Sequence, residues 1–113
     1  MLKVYGIKNC DTVKKALVAL DKSKLEYEFI DFKKIKPTKE LILKWKEFMN
    51  DWPVNTRGPT YRKIKEDFEK ATDAKKIALL IEASSAIKRP LIEKNGKPKI
   101  AGFDEEAIKK LKA

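Results

Sequence analysis

The chain carries one side chain equipped for covalent chemistry. Cys10 is the only cysteine among 113 residues, and no histidine accompanies it. It lies in "GIKNCDTVKKAL", residues 6–17, between a short apolar run and a segment that takes up helical spacing. Free cysteine is often buried and behaves as a small hydrophobe, so packing is one role open to it. Its neighbours Lys8, Asn9, Asp11 and Thr12 are polar instead. A residue at a helix start also faces outward-pointing N–H groups that carry partial positive charge. That setting, with nearby cations, takes a thiol from about 8.5 to roughly 3.5–7.5, and the thiolate is the form that attacks. Lys8 and Lys14 are local cations for such a field, and Asn9 and Thr12 can add hydrogen bonds at the helix start. Lys14, one turn on, suits a solvated helix face equally well.

The residues that are missing narrow the reaction. Without histidine, a Cys–His pair of the protease type is excluded. One cysteine and no histidine cannot supply the usual zinc or iron–sulfur ligand sets, so no metal is expected. A disulfide within one chain is ruled out too. Any mixed disulfide on Cys10 must therefore be resolved by an external thiol.

The elements that position Cys10 follow from periodicity. Leu2, Val4 and Gly6 alternate with Lys3, Tyr5 and Ile7, which predicts a strand over 2–7 buried on at least one face. Val13, Ala16, Leu17 and Leu20 then fall at i, i+3, i+4 and i+7, predicting a helix of about 12 residues just after Cys10. A second strand over Glu26–Phe32 completes a βαβ unit with parallel strands and a right-handed crossover. Thr38 is placed to cap a helix whose Leu41, Ile42, Trp45, Phe48 and Met49 share a face, ended by Asp51-Trp52-Pro53. The loop "VNTRGPTYRKI" leads into a helix with Tyr61, Ile64 and Phe68 inward. Another helix, around Ala74 to Ala86, carries Ile77, Leu80 and Ile81. Leu91-Ile92-Glu93 and Lys99 to Ala101 flank Asn95-Gly96, a strong hairpin signal. A last helix starts at Asp104, Glu105 and Glu106, whose acidity complements the helix dipole, with Ile108 and Leu111 inward.

Composition bounds the class. Hydrophobic residues make up 42% and charged residues 39% of the chain, as expected of a soluble globular domain. Apolar runs such as Ile77 to Ile81 are far too short to cross a bilayer, so no membrane partner is expected. Met1 to Ile7 does not read as a signal peptide, and a cytoplasmic protein is expected. The net charge of +10 favours anions. Its lysines are spread through every helix instead of forming one stripe, so direct nucleic-acid binding is not expected.

The segments "YGIKNCDTVKKA", "NTRGPTYRKI", "IKRPLI" and "GKPKIAGF", in this order, resemble the arsenate reductase (ArsC) and Spx family, and within it the YffB type. The resemblance covers nearly the whole chain. It implies an α/β, thioredoxin/glutaredoxin-like fold with a mixed four-stranded sheet (βαβ…ββα). The single domain would have its core at about 1–36 and 87–113, with a helical insertion at about 37–86. In that fold a cis-proline loop, here Arg89-Pro90, faces the active cysteine.

The resemblance also implies roles. Cys10 matches the nucleophile of the arsenate reductases, and Arg57 and Arg89 match two of the three arginines that bind the oxyanion and lower the thiol pKa. The third arginine follows a glycine after the last strand, where this chain has Gly102-Phe103. Phenylalanine cannot replace a guanidinium fork on a tetrahedral oxyanion, which weighs against arsenate. Spx regulators carry Cys-x-x-Cys, and here the second position is Val13. Read alone, Arg57 also fits a plain loop residue beside Gly58-Pro59, and Arg89 a surface arginine held extended by Pro90.

Together these readings lead us to expect a thiol-dependent reductase with no bound cofactor. Glutathione or another small thiol would be co-substrate, glutaredoxin a further partner, and Arg57, Arg89 and Lys14 the groups that hold its anions. Arsenate reduction is the rival activity. A non-enzymatic Spx-like regulator that docks on RNA polymerase is the rival from another class.

Overall fold

The computed structural model describes residues 2–111. It divides into two compact units, one built from the chain through Asp31 and from Arg89 onward, the other from Phe32 to Lys88.

The first unit is a mixed four-stranded sheet with two helices. β1 (Leu2–Gly6) leads to α1 (Asp11–Lys22) and β2 (Tyr27–Asp31), and the unit closes with β3 (Leu91–Lys94), β4 (Lys97–Ala101) and a short helix, Glu105–Lys110. The strand order is β2-β1-β3-β4. β1 pairs parallel with β2 and antiparallel with β3, and β3 pairs antiparallel with β4. Leu2 and Val4 of β1, Ile92 of β3 and Ile100 of β4 form one core with Ala16 and Leu20 of α1 and Ile108 and Leu111 near the C-terminus. Period-2 and period-3.6 stripes meet there, as the sequence requires. Asn95 and Gly96 form the hairpin with φ of 53° and 82°, the left-handed pair that a two-residue turn demands.

The helical unit contains α2 (Lys39–Met49), α3 (Pro59–Lys70) and α4 (Asp73–Glu82), so that the helix Glu105–Lys110 is α5. Thr38 caps α2, its Oγ1 accepting the Leu41 N–H at 3.2 Å, and Thr72 caps α4 through Lys75 at 3.3 Å. Trp45 is fully buried against Phe32, ring centres 6.0 Å apart. Trp52 stands edge-on to Phe68 at 5.8 Å, with the Lys46 and Lys76 ammonium groups over its ring at 5.0 and 5.5 Å.

Two expectations need correction. Phe48 does not join the buried face of α2; it is exposed, because Ile42 and Trp45 define a narrower inward arc. The helix expected to run to Ala86 stops at Glu82, and Ser84–Ala86 form a separate 3₁₀ turn. Long-range pairing explains the break. Asn55 N–H donates to Ala86 O at 2.8 Å, Lys88 N–H to Pro53 O at 3.0 Å, and Val54 bridges Ile87. The Lys36 ammonium takes up the freed carbonyls of Ile81 and Glu82. No helix among the described residues is long and apolar enough to cross a membrane.

Candidate active site around Cys10

Cys10 is the N-cap of α1, in extended conformation with φ −105° and ψ 124°. The turn before it is closed by Cys10 N–H donating to Ile7 O at 3.2 Å, and α1 begins with Lys14 N–H donating to Cys10 O at 2.9 Å. The strand end and helix start are pressed together at Gly6. A Cβ there would sit 2.8 Å from Val13 Cγ2, so only hydrogen leaves room for this approach.

The caps of the helices differ in a way that matters chemically. Thr38, Thr72 and Asp104 each accept a first-turn N–H through a side-chain oxygen, whereas Cys10 closes no such bond. The N–H groups at the start of α1 therefore act on the sulfur through their field, which strengthens when the sulfur carries charge. Arg89 adds to it. Partial burial alone would push the thiol up. The Val13 N–H, the Arg89 guanidinium acting by hydrogen bond and by charge, and the Thr12 N–H together outweigh burial, so Cys10 lies below the ordinary cysteine value. Cys10 is partly exposed, which leaves its side chain open to reaction.

Arg89 and Pro90 occupy the segment that opens β3, and the peptide bond between them is cis. Arg89 is half-buried and Pro90 buried. Pro90 O accepts the Gly102 N–H at 2.8 Å, tying this segment to the end of β4. The sequence-predicted residues divide accordingly. Cys10 and Arg89 come together. Thr12 contributes through its backbone N–H. Asn9 is exposed in the preceding turn, and Lys14 is exposed on the first turn of α1. Arg57 belongs to the helical unit, where it is exposed and its N–H donates to Asn55 Oδ1 at 3.3 Å. The Val13 N–H is one of the first-turn groups that a helix start just after Cys10 implies, although the sequence does not single it out. Phe103 is 38% exposed beside the end of β4.

A mixed sheet of order β2-β1-β3-β4 with a cysteine capping the first helix defines a thioredoxin-like α/β protein. The chain belongs to the ArsC family, whose model matches residues 5–111. Within the family it is of the YffB type: it is similar to the solved YffB protein, 36% identical over 95% of each chain with a TM-score of 0.81. A structure from Streptococcus mutans UA159, described as a possible arsenate reductase, is 32% identical over 91% of each chain with a TM-score of 0.77. An uncharacterized protein of Haemophilus influenzae is 38% identical over 109 residues, 94% of each chain.

Proposed function

We propose that the protein is a thiol-dependent reductase whose nucleophile is Cys10 and whose reducing co-substrate is glutathione or a similar small thiol. The observation that carries this reading is the lowered thiol of Cys10, held by Arg89 and the Val13 and Thr12 N–H groups. Family membership and relatives described in terms of arsenate reductase support thiol chemistry at this cysteine.

The step balances with one external thiol. Cys10 Sγ attacks the glutathione-side sulfur of a mixed disulfide R–S–S–G; the R–S bond partner leaves as a thiolate and takes a proton. A second glutathione thiolate then attacks that sulfur, releasing the Cys10 thiolate and forming glutathione disulfide. Net, R–S–S–G and one glutathione give R–SH and glutathione disulfide: the R sulfur is reduced and the sulfur of the incoming glutathione is oxidised. Arg89 holds the sulfur's charge in the resting and leaving states, while Lys14, Asn9 and Thr12 hold the carboxylates and polar groups of the thiol. Glutaredoxin is a candidate partner for regenerating the enzyme, and the cytoplasm, where thiols stay reduced, is the setting that suits it.

The pH dependence of Cys10 alkylation by iodoacetamide tests the reading. The rate should level off with a midpoint well below the free-cysteine value of about 8.5. A rate that rises only above that value overturns it.

A further inference from the structure

A groove of about 300 Å³ runs along α1 in the sheet unit, between Lys14, Lys15, Val18, Ala19 and Lys22 on one side and Phe103 with Glu105 on the other. Its lining is mainly apolar, and two large side chains that line it are left to solvent: Val18 is 51% and Phe103 38% exposed. The rim is cationic. Glu105 is matched by Lys109 of its own helix at 3.8 Å, whereas no carboxylate pairs with Lys14, Lys15 or Lys22 among the described residues.

Both walls lead back to the sulfur. Lys14 follows Cys10 by one helical turn. Phe103 follows Gly102, which has φ of 90° and is bonded to Pro90 O, next to Arg89. The volume is at the lower end of the range for small-molecule sites and too small for a folded partner.

We propose that this groove is a binding subsite for a small amphipathic anion, an apolar body bearing a carboxylate, and that it selects the R group of the disulfide offered to Cys10. Apolar floor and unpaired ammonium groups are complementary to such a molecule and reject a cationic or wholly polar one. The selection half rests on the reductase reading; the binding half does not.

Decanoate below its micelle concentration is the probe, with decyltrimethylammonium and acetate as controls, followed by backbone NMR shifts in the Cys10→Ser protein. Decanoate should shift the amides of residues 14–22 and of Phe103 in a saturable way, and the controls should not. Phe103→Ser and Val18→Ser, both at exposed positions, should each weaken binding about fivefold to tenfold, and Lys22→Gln should weaken it while Lys65→Gln should not. No saturable shift along the groove, or equal response to the cation, overturns the subsite. Because the probe carries no sulfur and the protein no thiol, decanoate binding with an unreactive wild-type Cys10 overturns only the reductase reading. A reactive Cys10 with an empty groove overturns only the subsite.

Discussion

Arg89 reaches the sulfur of Cys10 from the opposite half of the chain, donating a hydrogen bond as well as placing a full positive charge beside it. Two residues separated in sequence by the whole helical unit thus share one ionisation. The thiolate is favoured because a guanidinium cannot lose its proton and its planar fork is preorganised.

Arg89→Ala should therefore move the midpoint of Cys10 alkylation upward, since it removes the charge and the hydrogen bond while leaving burial and the helix N–H groups. Arg89→Lys should move it less, because charge remains and the fork is lost. An unchanged midpoint in Arg89→Ala would show that the α1 N–H groups suffice alone.

Gly6→Ala should destabilise the fold by about 1–3 kcal/mol, the range for overpacking, because the new Cβ meets Val13 Cγ2 at 2.8 Å. The Val13 N–H also favours the charged sulfur, so displacing it should slow alkylation at neutral pH. Urea unfolding and the alkylation rate, measured on one sample, check both effects.

Gly96→Ala should cost about 1–2 kcal/mol for a different reason. Nothing lies within 4 Å of the added Cβ, so the cost is confined to holding a side chain at φ of 82°. The hairpin is at the end of β3 away from Arg89, so alkylation of Cys10 should be unaffected. A change in that rate would argue that the turn transmits to the site.

Arsenate turnover with glutathione and glutaredoxin should stay at background, because Phe103 stands where the resemblance implies a third arginine. Robust turnover that disappears in Cys10→Ser would make this chain an arsenate reductase without the third arginine that the resemblance implies. Recovery of RNA polymerase from cell extract by wild type and Cys10→Ala alike would instead favour a regulatory binding role.

Tyr5 is pushed up to about 12, first by burial and then by the negative charges of Glu93 and Glu28. The folded protein keeps a proton that the unfolded chain releases near 10.0. This group's contribution to stability is therefore complete below that pH and is lost as pH rises through about 12. Tyr5→Phe should remove the last step of the phenolate absorbance titration; an unaltered curve would refute the assignment.

Much of the frame was legible in the chain. The stripe Val13, Ala16 and Leu20 predicts α1 and its start after Cys10, and Thr38, Asp104 and Asn95-Gly96 mark their caps and turn, because each of these signals acts over a few residues. The break at Ala83 was not legible. Ile77 to Ala86 reads as continuous helix until Pro53–Asn55 compete for the backbone of Ala86 to Lys88. Phe48 misled for a related reason: helical spacing tells which residues share a side, but not how wide a buried arc the neighbours provide.

What the sequence determined by itself is a lone cysteine at a helix start with no histidine to serve it, since residue type and local periodicity need no partner. The arrival of Arg89 at that sulfur, and of Phe103 opposite Val18, was decided by tertiary structure. Strand pairing of β1 with β3 and of β3 with β4 brings these distant segments beside α1, and no local propensity encodes which side chain then faces the thiol.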